Sequence, residues 1–245
     1  YTSGGTTNTP TKVELPVSTG HISSITTGDK HTCALNNNGE AFCWGYNGGS
    51  TQMVLGNSST TGTNSSSAVK VDLAGSGSQY ASDWDSRSVS GIGAGNDATC
   101  AILSTSTEVA CWGATSTILG NSTSAANGTR ANIASDRHTS ISIGTSHACA
   151  VVEEEIYCWG TESSGEIGNG GTASDGSSSP TQVSTVTGYE AVEVEVGSAH
   201  TCAVYKSLST DDRQIICWGE SDDGRLGNPT IAGDLAEPGT PPKLV

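Results

Sequence analysis

The phrase Cys-Trp-Gly occurs four times, at Cys43-Trp44-Gly45, Cys111-Trp112-Gly113, Cys158-Trp159-Gly160 and Cys217-Trp218-Gly219. Each copy sits in the same frame. A second cysteine precedes it, at Cys33, Cys100, Cys149 and Cys202. Five residues before that cysteine lies a glycine (Gly28, Gly95, Gly144, Gly197), and three before the glycine a β-branched residue (Ile25, Ile92, Ile141, Val194). An apolar-Gly-Asn phrase follows each tryptophan: Leu55-Gly56-Asn57, Leu119-Gly120-Asn121, Ile167-Gly168-Asn169 and Leu226-Gly227-Asn228. The leading cysteines are 67, 49 and 53 residues apart. A phrase copied at that period marks a tandem array, in which each copy buries its apolar face only against its neighbours.

Each copy reads as antiparallel strands. In the first, His21 to Thr26 is a strand, His31 to Leu35 the next, Asn36-Asn37-Asn38-Gly39 a turn, and Glu40 to Trp44 the return. Asn and Gly tolerate the positive φ that such turns demand. An outer strand around Lys12 to Leu15 precedes these, and Pro180-Thr181-Gln182-Val183 opens the fourth unit in the same way. Four strands per unit, repeated radially, is the pattern of a β-propeller blade. The expectation is an all-β, propeller-like domain over residues 10–245. Its repeats run over about 10–67, 68–126, 127–179 and 180–240, each roughly 50–65 residues. Residues 1–9 form an N-terminal extension, and the polar start shows no apolar leader. Pro241 to Val245 reads as a surplus outer strand. The second unit departs twice: Ala98 stands where the others have His31, His147 and His200, and an insertion spans Ala74 to Asp85.

All eight cysteines fall in pairs that flank a hairpin turn, 10, 11, 9 and 15 residues apart. Disulfides Cys33–Cys43, Cys100–Cys111, Cys149–Cys158 and Cys202–Cys217 are expected, because neighbouring strands place such pairs within bridging distance. Zinc ligation is the rival, but it favours close Cys-x-x-Cys pairs, and none occurs. Disulfides imply an oxidising compartment: secreted, cell-surface or periplasmic. They would also help a chain whose apolar fraction is only 33%. The net charge of −15 argues against nucleic acid and against docking on anionic lipid. No apolar run approaches the ~18 residues of a membrane helix.

The glycine, the His-Thr-Cys-Ala-Leu of the first unit, Cys-Trp-Gly and Leu-Gly-Asn resemble, in that order, the regulator-of-chromosome-condensation type of repeat. The resemblance covers nearly the whole chain. It implies one propeller blade per repeat, and it points to secreted, cysteine-paired members rather than to the nuclear exchange factor. Propellers of that family commonly have seven blades, whereas four repeats occur here. Three accounts of the ends follow. A four-bladed ring closes within one chain; a neighbouring molecule completes it by strand addition; or the array is part of a longer one.

Candidate chemistry is thin. Trp44, Trp112, Trp159 and Trp218 occupy equivalent positions, which points to core or inter-blade packing rather than a sugar-binding row. The repeated histidines read as structural. Glu153-Glu154-Glu155, Asp211-Asp212 and Asp222-Asp223 read as solvated turn charge, without the spacing of a calcium loop. Trp84, flanked by Asp83 and Asp85, is either a binding loop or a packing anchor. Sequons at Asn57, Asn64, Asn121 and Asn127 are glycosylation candidates, Asn64 and Asn127 the better two. No catalytic residue, cofactor or metal is expected. The leading functional reading is a non-catalytic extracellular structural or adhesive protein that assembles with itself. A secreted protein-binding or inhibitory propeller is the alternative, and an enzyme a weaker third.

Overall fold

The structure is a computed structural model. It describes residues 9–16, 20–48, 53–57, 62–74, 84, 87–104, 108–113, 118–120, 129–131, 133, 138–170, 176–227 and 243–244. These residues form four antiparallel sheets of four strands each. Blade I holds β1 (Ile22–Thr27), β2 (His31–Asn36), β3 (Ala41–Gly45) and β4 (Ser65–Lys70). Blade II holds β5 (Val89–Ala94), β6 (Ala98–Leu103), β7 (Glu108–Gly113) and β8 (Thr129–Ala131). Blade III holds β9 (His138–Ile143), β10 (His147–Val152), β11 (Glu155–Gly160) and β12 (Ser177–Gln182). Blade IV holds β13 (Tyr189–Val196), β14 (His200–Ser207), β15 (Arg213–Gly219) and β16 (Lys243–Leu244). The fold is all-β and propeller-like.

The repeated phrases explain the strand geometry. Paired cysteines face one another directly across the second and third strands, as in Cys33↔Cys43 and Cys149↔Cys158. All four pairs are disulfides with Cα atoms 4.1 Å apart. That is the close spacing of a non-hydrogen-bonded antiparallel pair, where side chains approach most nearly. The glycine of Cys-Trp-Gly ends each third strand with φ between +103° and +126°. A Cβ at Gly45 would lie 2.5 Å from the Lys30 carbonyl oxygen, so only glycine fits this corner.

The outer strands fall out of phase with the sequence reading. Lys12 to Leu15 forms no strand, and blade I is completed by the later segment Ser65–Lys70. Likewise Ser177–Gln182, with its Pro180-Thr181-Gln182 run, closes blade III rather than opening blade IV. The C-terminal Lys243–Leu244, expected as surplus, pairs with Ile216 and Cys217 of its own blade IV. The reason is chain economy: a third strand meets its outer partner through the connection that follows it. The alternating side chains look the same whether a strand pairs forwards or backwards.

The blades stack side by side, β5 on β1 and β2, β9 on β5 and β6, and β13 on β9 and β10. Their apolar faces meet in three clusters, one per junction. Among the described residues, no strands of blades I and IV pack together as neighbouring blades do. Ile25 of blade I is accordingly 64% exposed, whereas its counterparts Ile92 and Val194 are 7% and 0%. The four blades form an open arc.

Candidate functional site

Two features of the arc carry side-chain chemistry: the joints between blades and the concave face of the inner strands. Each joint is built from a tryptophan of one blade and the apolar-Gly-Asn loop of the blade before it. Trp112 Nε1 donates to the Val54 carbonyl at 3.0 Å, Trp159 Nε1 to Ile118, and Trp218 Nε1 to Glu166 at 2.9 Å. The loop glycine lets the indole approach, since a Cβ on Gly56 or Gly168 would overlap the ring of Trp112 or Trp218. All three indoles are fully buried. Burying an indole N–H without an acceptor would cost roughly 1–3 kcal/mol, so the carbonyl is part of the socket. Trp44 is only partly buried, and among the described residues no such loop receives its indole.

The joints of blades I–II and III–IV add a histidine relay. His31 Nε2 lies 2.9 Å from Thr99 Oγ1, which donates to the Val54 carbonyl at 3.0 Å. His147 Nε2 lies 2.8 Å from Thr201 Oγ1, which donates to the Glu166 carbonyl at 3.1 Å. Each hydroxyl proton is committed to a carbonyl, so the hydroxyl oxygen accepts and the imidazole carries its proton on Nε2. Burial pushes both histidines down from 6.5 to about 4, so they are neutral at ordinary pH. At the II–III joint both partners are missing together: Ala98 stands where the histidine would be and Ala148 where the threonine would be. The three repeat histidines are thus dispersed among the blades. Thr99 and Thr201 escaped the sequence reading; the signal was a threonine directly after the histidine position in units one, two and four.

The repeated glycine before each first cysteine marks where blades touch. Asp29 N–H donates to the Gly95 carbonyl and Asn96 N–H to the Gly144 carbonyl, each at 3.3 Å. A Cβ on Gly28, Gly95 or Gly144 would collide with the carbonyl of the next glycine in the series.

Buried polar groups shape the loops that receive the indoles. Glu166 is buried, and its carboxylate accepts from Ser163 N–H, Ser163 Oγ and Ser164 N–H at 2.7–2.9 Å. Burial alone would raise its pKa, but these donors outweigh it and hold the carboxyl below the usual range. In blade I the same task falls to buried Asn47, whose Oδ1 accepts from Leu55 N–H at 2.8 Å.

Along the concave face, Ser24, Thr26, Ser90, Ser140, Ser142 and Glu195 line one open groove. Several of these side chains also stitch adjacent inner strands. Ala94 N–H donates to Thr26 Oγ1, Val196 N–H donates to Ser142 Oγ, and Ser142 Oγ donates to Glu195 Oε2 at 2.9 Å.

The remaining candidates are scattered. Trp84 is buried in the blade I–II cluster and donates to the Val71 carbonyl at 3.0 Å, so it packs as an anchor; Asp83 and Asp85 lie outside the described residues. Asn57 Nδ2 donates to the Lys70 carbonyl at 2.7 Å, and Asn64 Oδ1 accepts from Asn47 N–H. Asn121 and Asn127 lie outside the described residues. Glu153 and Glu154 form a hairpin turn, and Asp211 pairs with Lys206 at 2.7 Å.

Comparison with known proteins places this architecture. Residues 22–49 and 153–204 match the Regulator of chromosome condensation (RCC1) repeat. The Ultraviolet-B receptor UVR8 of Arabidopsis thaliana is 37% identical over 89 residues, covering 36% of this chain and 19% of the receptor. The human E3 ubiquitin-protein ligase HERC2 is 34% identical over 80 residues, 33% of this chain and 2% of the ligase. Human WBSCR16 superimposes with a TM-score of 0.68 at 17% identity, over 92% of this chain and 53% of that one. Yeast RCC1 (Prp20) bound to Kap60 gives 0.66 at 18%, over 91% and 49%. This chain therefore spans about half the length of each of these two solved structures, and a fifth or less of the two curated relatives. Two stretches of the chain thus match the RCC1 repeat in sequence, and the described residues as a whole share the RCC1-like propeller fold, with one disulfide per blade.

Proposed function

We propose that this chain is a non-catalytic, protein-binding scaffold that works in an oxidising compartment, as an extracellular structural or adhesive component. The observation that carries the reading is the set of four in-register disulfides, one per blade. They staple the strands that bear the tryptophans and histidines, and those side chains are spent on holding blades together. Protein binding is the use described for related propellers: one solved structure shows yeast RCC1 holding Kap60, and another concerns binding of Prp20p to Gsp1p and histones. The disulfides support a setting outside the cytosol and nucleus, where thiols are not kept reduced.

The test is non-reducing mass spectrometry of the native protein together with cell fractionation and surface labelling. Four intact disulfides in the extracellular or surface fraction support the reading. Eight free thiols, or recovery only from the cytosol, sink it. The open, hydroxyl-lined concave groove favours a second reading, a secreted binder or inhibitor of another protein. A monomer that captures one defined partner, with capture weakened by a bulky substitution at Ser90, would favour that second reading.

A further inference from the structure

Every joint between blades contains a tryptophan and a carbonyl that receives it, but only two of the joints contain a buried base. At I–II the Val54 carbonyl accepts from both Trp112 Nε1 and Thr99 Oγ1. At III–IV the Glu166 carbonyl accepts from both Trp218 Nε1 and Thr201 Oγ1. The threonine is held in turn by His31 or His147. At II–III the Ile118 carbonyl receives Trp159. Ala98 and Ala148, both 0% exposed, stand there in place of the histidine and the threonine.

The two histidines are placed so that a closed joint refuses a second proton. Both rings are buried, and Nε2 already donates to the threonine, so an added proton must go to Nδ1. In both rings Nδ1 is buried with no hydrogen-bond partner among the described residues. In His31 this edge lies against Gly28, where an added Cβ would come within 2.7 Å of Nδ1. A proton there would bury a charge and an unpaired N–H together. His31 and the Val54 loop belong to blade I, Thr99 and Trp112 to blade II. His147 and the Glu166 loop belong to blade III, Thr201 and Trp218 to blade IV. Solvating either ring therefore means separating two blades.

Charged neighbours do not offset this. Around His31, β1, β5, β6 and the Val54 loop contain no ionisable side chain apart from the bridged Cys100. Asp29 pairs with Lys30 at 3.2 Å, Asp97 acts on Lys30, and burial alone pushes the histidine down. Around His147, the Glu166 carboxylate favours the charged ring and His200 opposes it, but burial is the largest influence and the pKa still falls. Arg225 and Glu220 act on His200.

We propose that the joints are an acid switch: acid opens I–II and III–IV, while II–III, built without the histidine, stays closed. Blades II and III remain docked as a pair, and the faces that I and IV had covered become exposed. The switch works by differential proton binding, since the opened joint takes up a proton that the closed one excludes. Ala98 with Ala148 supplies the same chain with a joint that lacks the trigger. The inference depends on the composition of the three joints and not on the compartment or the partner.

The indole N–H groups of Trp112, Trp159 and Trp218 each report one joint. Their hydrogen exchange, followed by NMR from about pH 7 to about pH 4 and corrected for the intrinsic rate at each pH, tests the proposal on the unaltered chain. A histidine held down from 6.5 to about 4 lets the opening equilibrium of its joint rise on the order of a hundredfold over that range. Trp112 and Trp218 are expected to lose about that much protection, and Trp159 to keep its own. Equal loss at all three indoles, or loss at Trp159 first, overturns the proposal. The double variant His31→Ala/Thr99→Ala gives the I–II joint the composition of II–III. Trp112 is then expected to follow Trp159, while Trp218 still opens with acid. His147→Ala/Thr201→Ala reverses those roles. A Trp112 indole that keeps its acid response in the first variant overturns the proposal as well. Where a variant fails to fold, the comparison of the three indoles in the unaltered chain decides.

Discussion

Trp159 is fully buried between blades II and III and donates its indole N–H to the Ile118 carbonyl. Trp159→Ala removes a large packed side chain and strands a buried carbonyl, so it should lower unfolding stability by about 3–5 kcal/mol in urea titrations. Trp44→Ala, at a partly exposed site with no acceptor, should cost clearly less. The buried histidines predict a pH dependence. His31 and His147 have an ordinary pKa of 6.5 that burial pushes down to about 4. Between those values the unfolded chain binds protons that the folded chain refuses. Their stabilising contribution is therefore fully present above about pH 6.5, falls as pH drops towards 4, and is spent below that. Each histidine should contribute on the order of 3 kcal/mol to that loss. Melting curves from pH 7.5 to 4 should show a shallower decline for His147→Asn than for the unaltered chain; an equal slope would mean the imidazole is not buried neutral.

At the scale of strands and hairpins, the turn joining β10 and β11 is the weakest local choice. Glu153 and Glu154 both adopt positive φ, 50° and 69°, in a two-residue connection. That geometry suits the twist of an antiparallel hairpin but favours Asn-Gly over two glutamates. The double substitution Glu153→Asn/Glu154→Gly should raise stability by about 1 kcal/mol. A calorimetric Tm that falls would show that the glutamate side chains hold the turn by contacts outweighing the backbone gain. The hairpins themselves were legible because turn residues and cysteines bracket them. The observed Ile22–Thr27, His31–Asn36 and Ala41–Gly45 lie within a residue of the strands read from the sequence. The outer strands were not legible. Ser65–Lys70 and Ser177–Gln182 begin with runs of serine that pair mainly through backbone, so their side chains carry little information about which neighbour they join.

Across the whole arc, each blade packs only on those beside it, so disturbance should spread by nearest neighbours. Phe42 is buried in blade I, remote from blade IV in the stacking order. Phe42→Ala should increase amide exchange in β1, β2 and β3, less in β5 and β6, and leave β13 to β15 close to their starting protection. Uniform loss of protection would mean that the four blades unfold as one unit. The acidic, glycine-rich composition fits such an array, because each blade needs only a thin apolar face and a disulfide rather than one deep core.

The repeat, the strand pairs around each turn and the cysteine pairing were all present in the sequence, because they rest on residues close together in the chain. What only the tertiary structure decided was who meets whom across blades. Ala98 was visible as a departure, but its matching Ala148 acquires meaning only once β6 and β10 stand in adjacent blades. The Val54 and Glu166 carbonyls are backbone atoms that no side-chain pattern announces, yet they receive the indole and the threonine of the next blade. The openness of the arc likewise depends on the angle between successive sheets. That angle is set by packing between residues some fifty positions apart, and a repeat written along one chain does not state it.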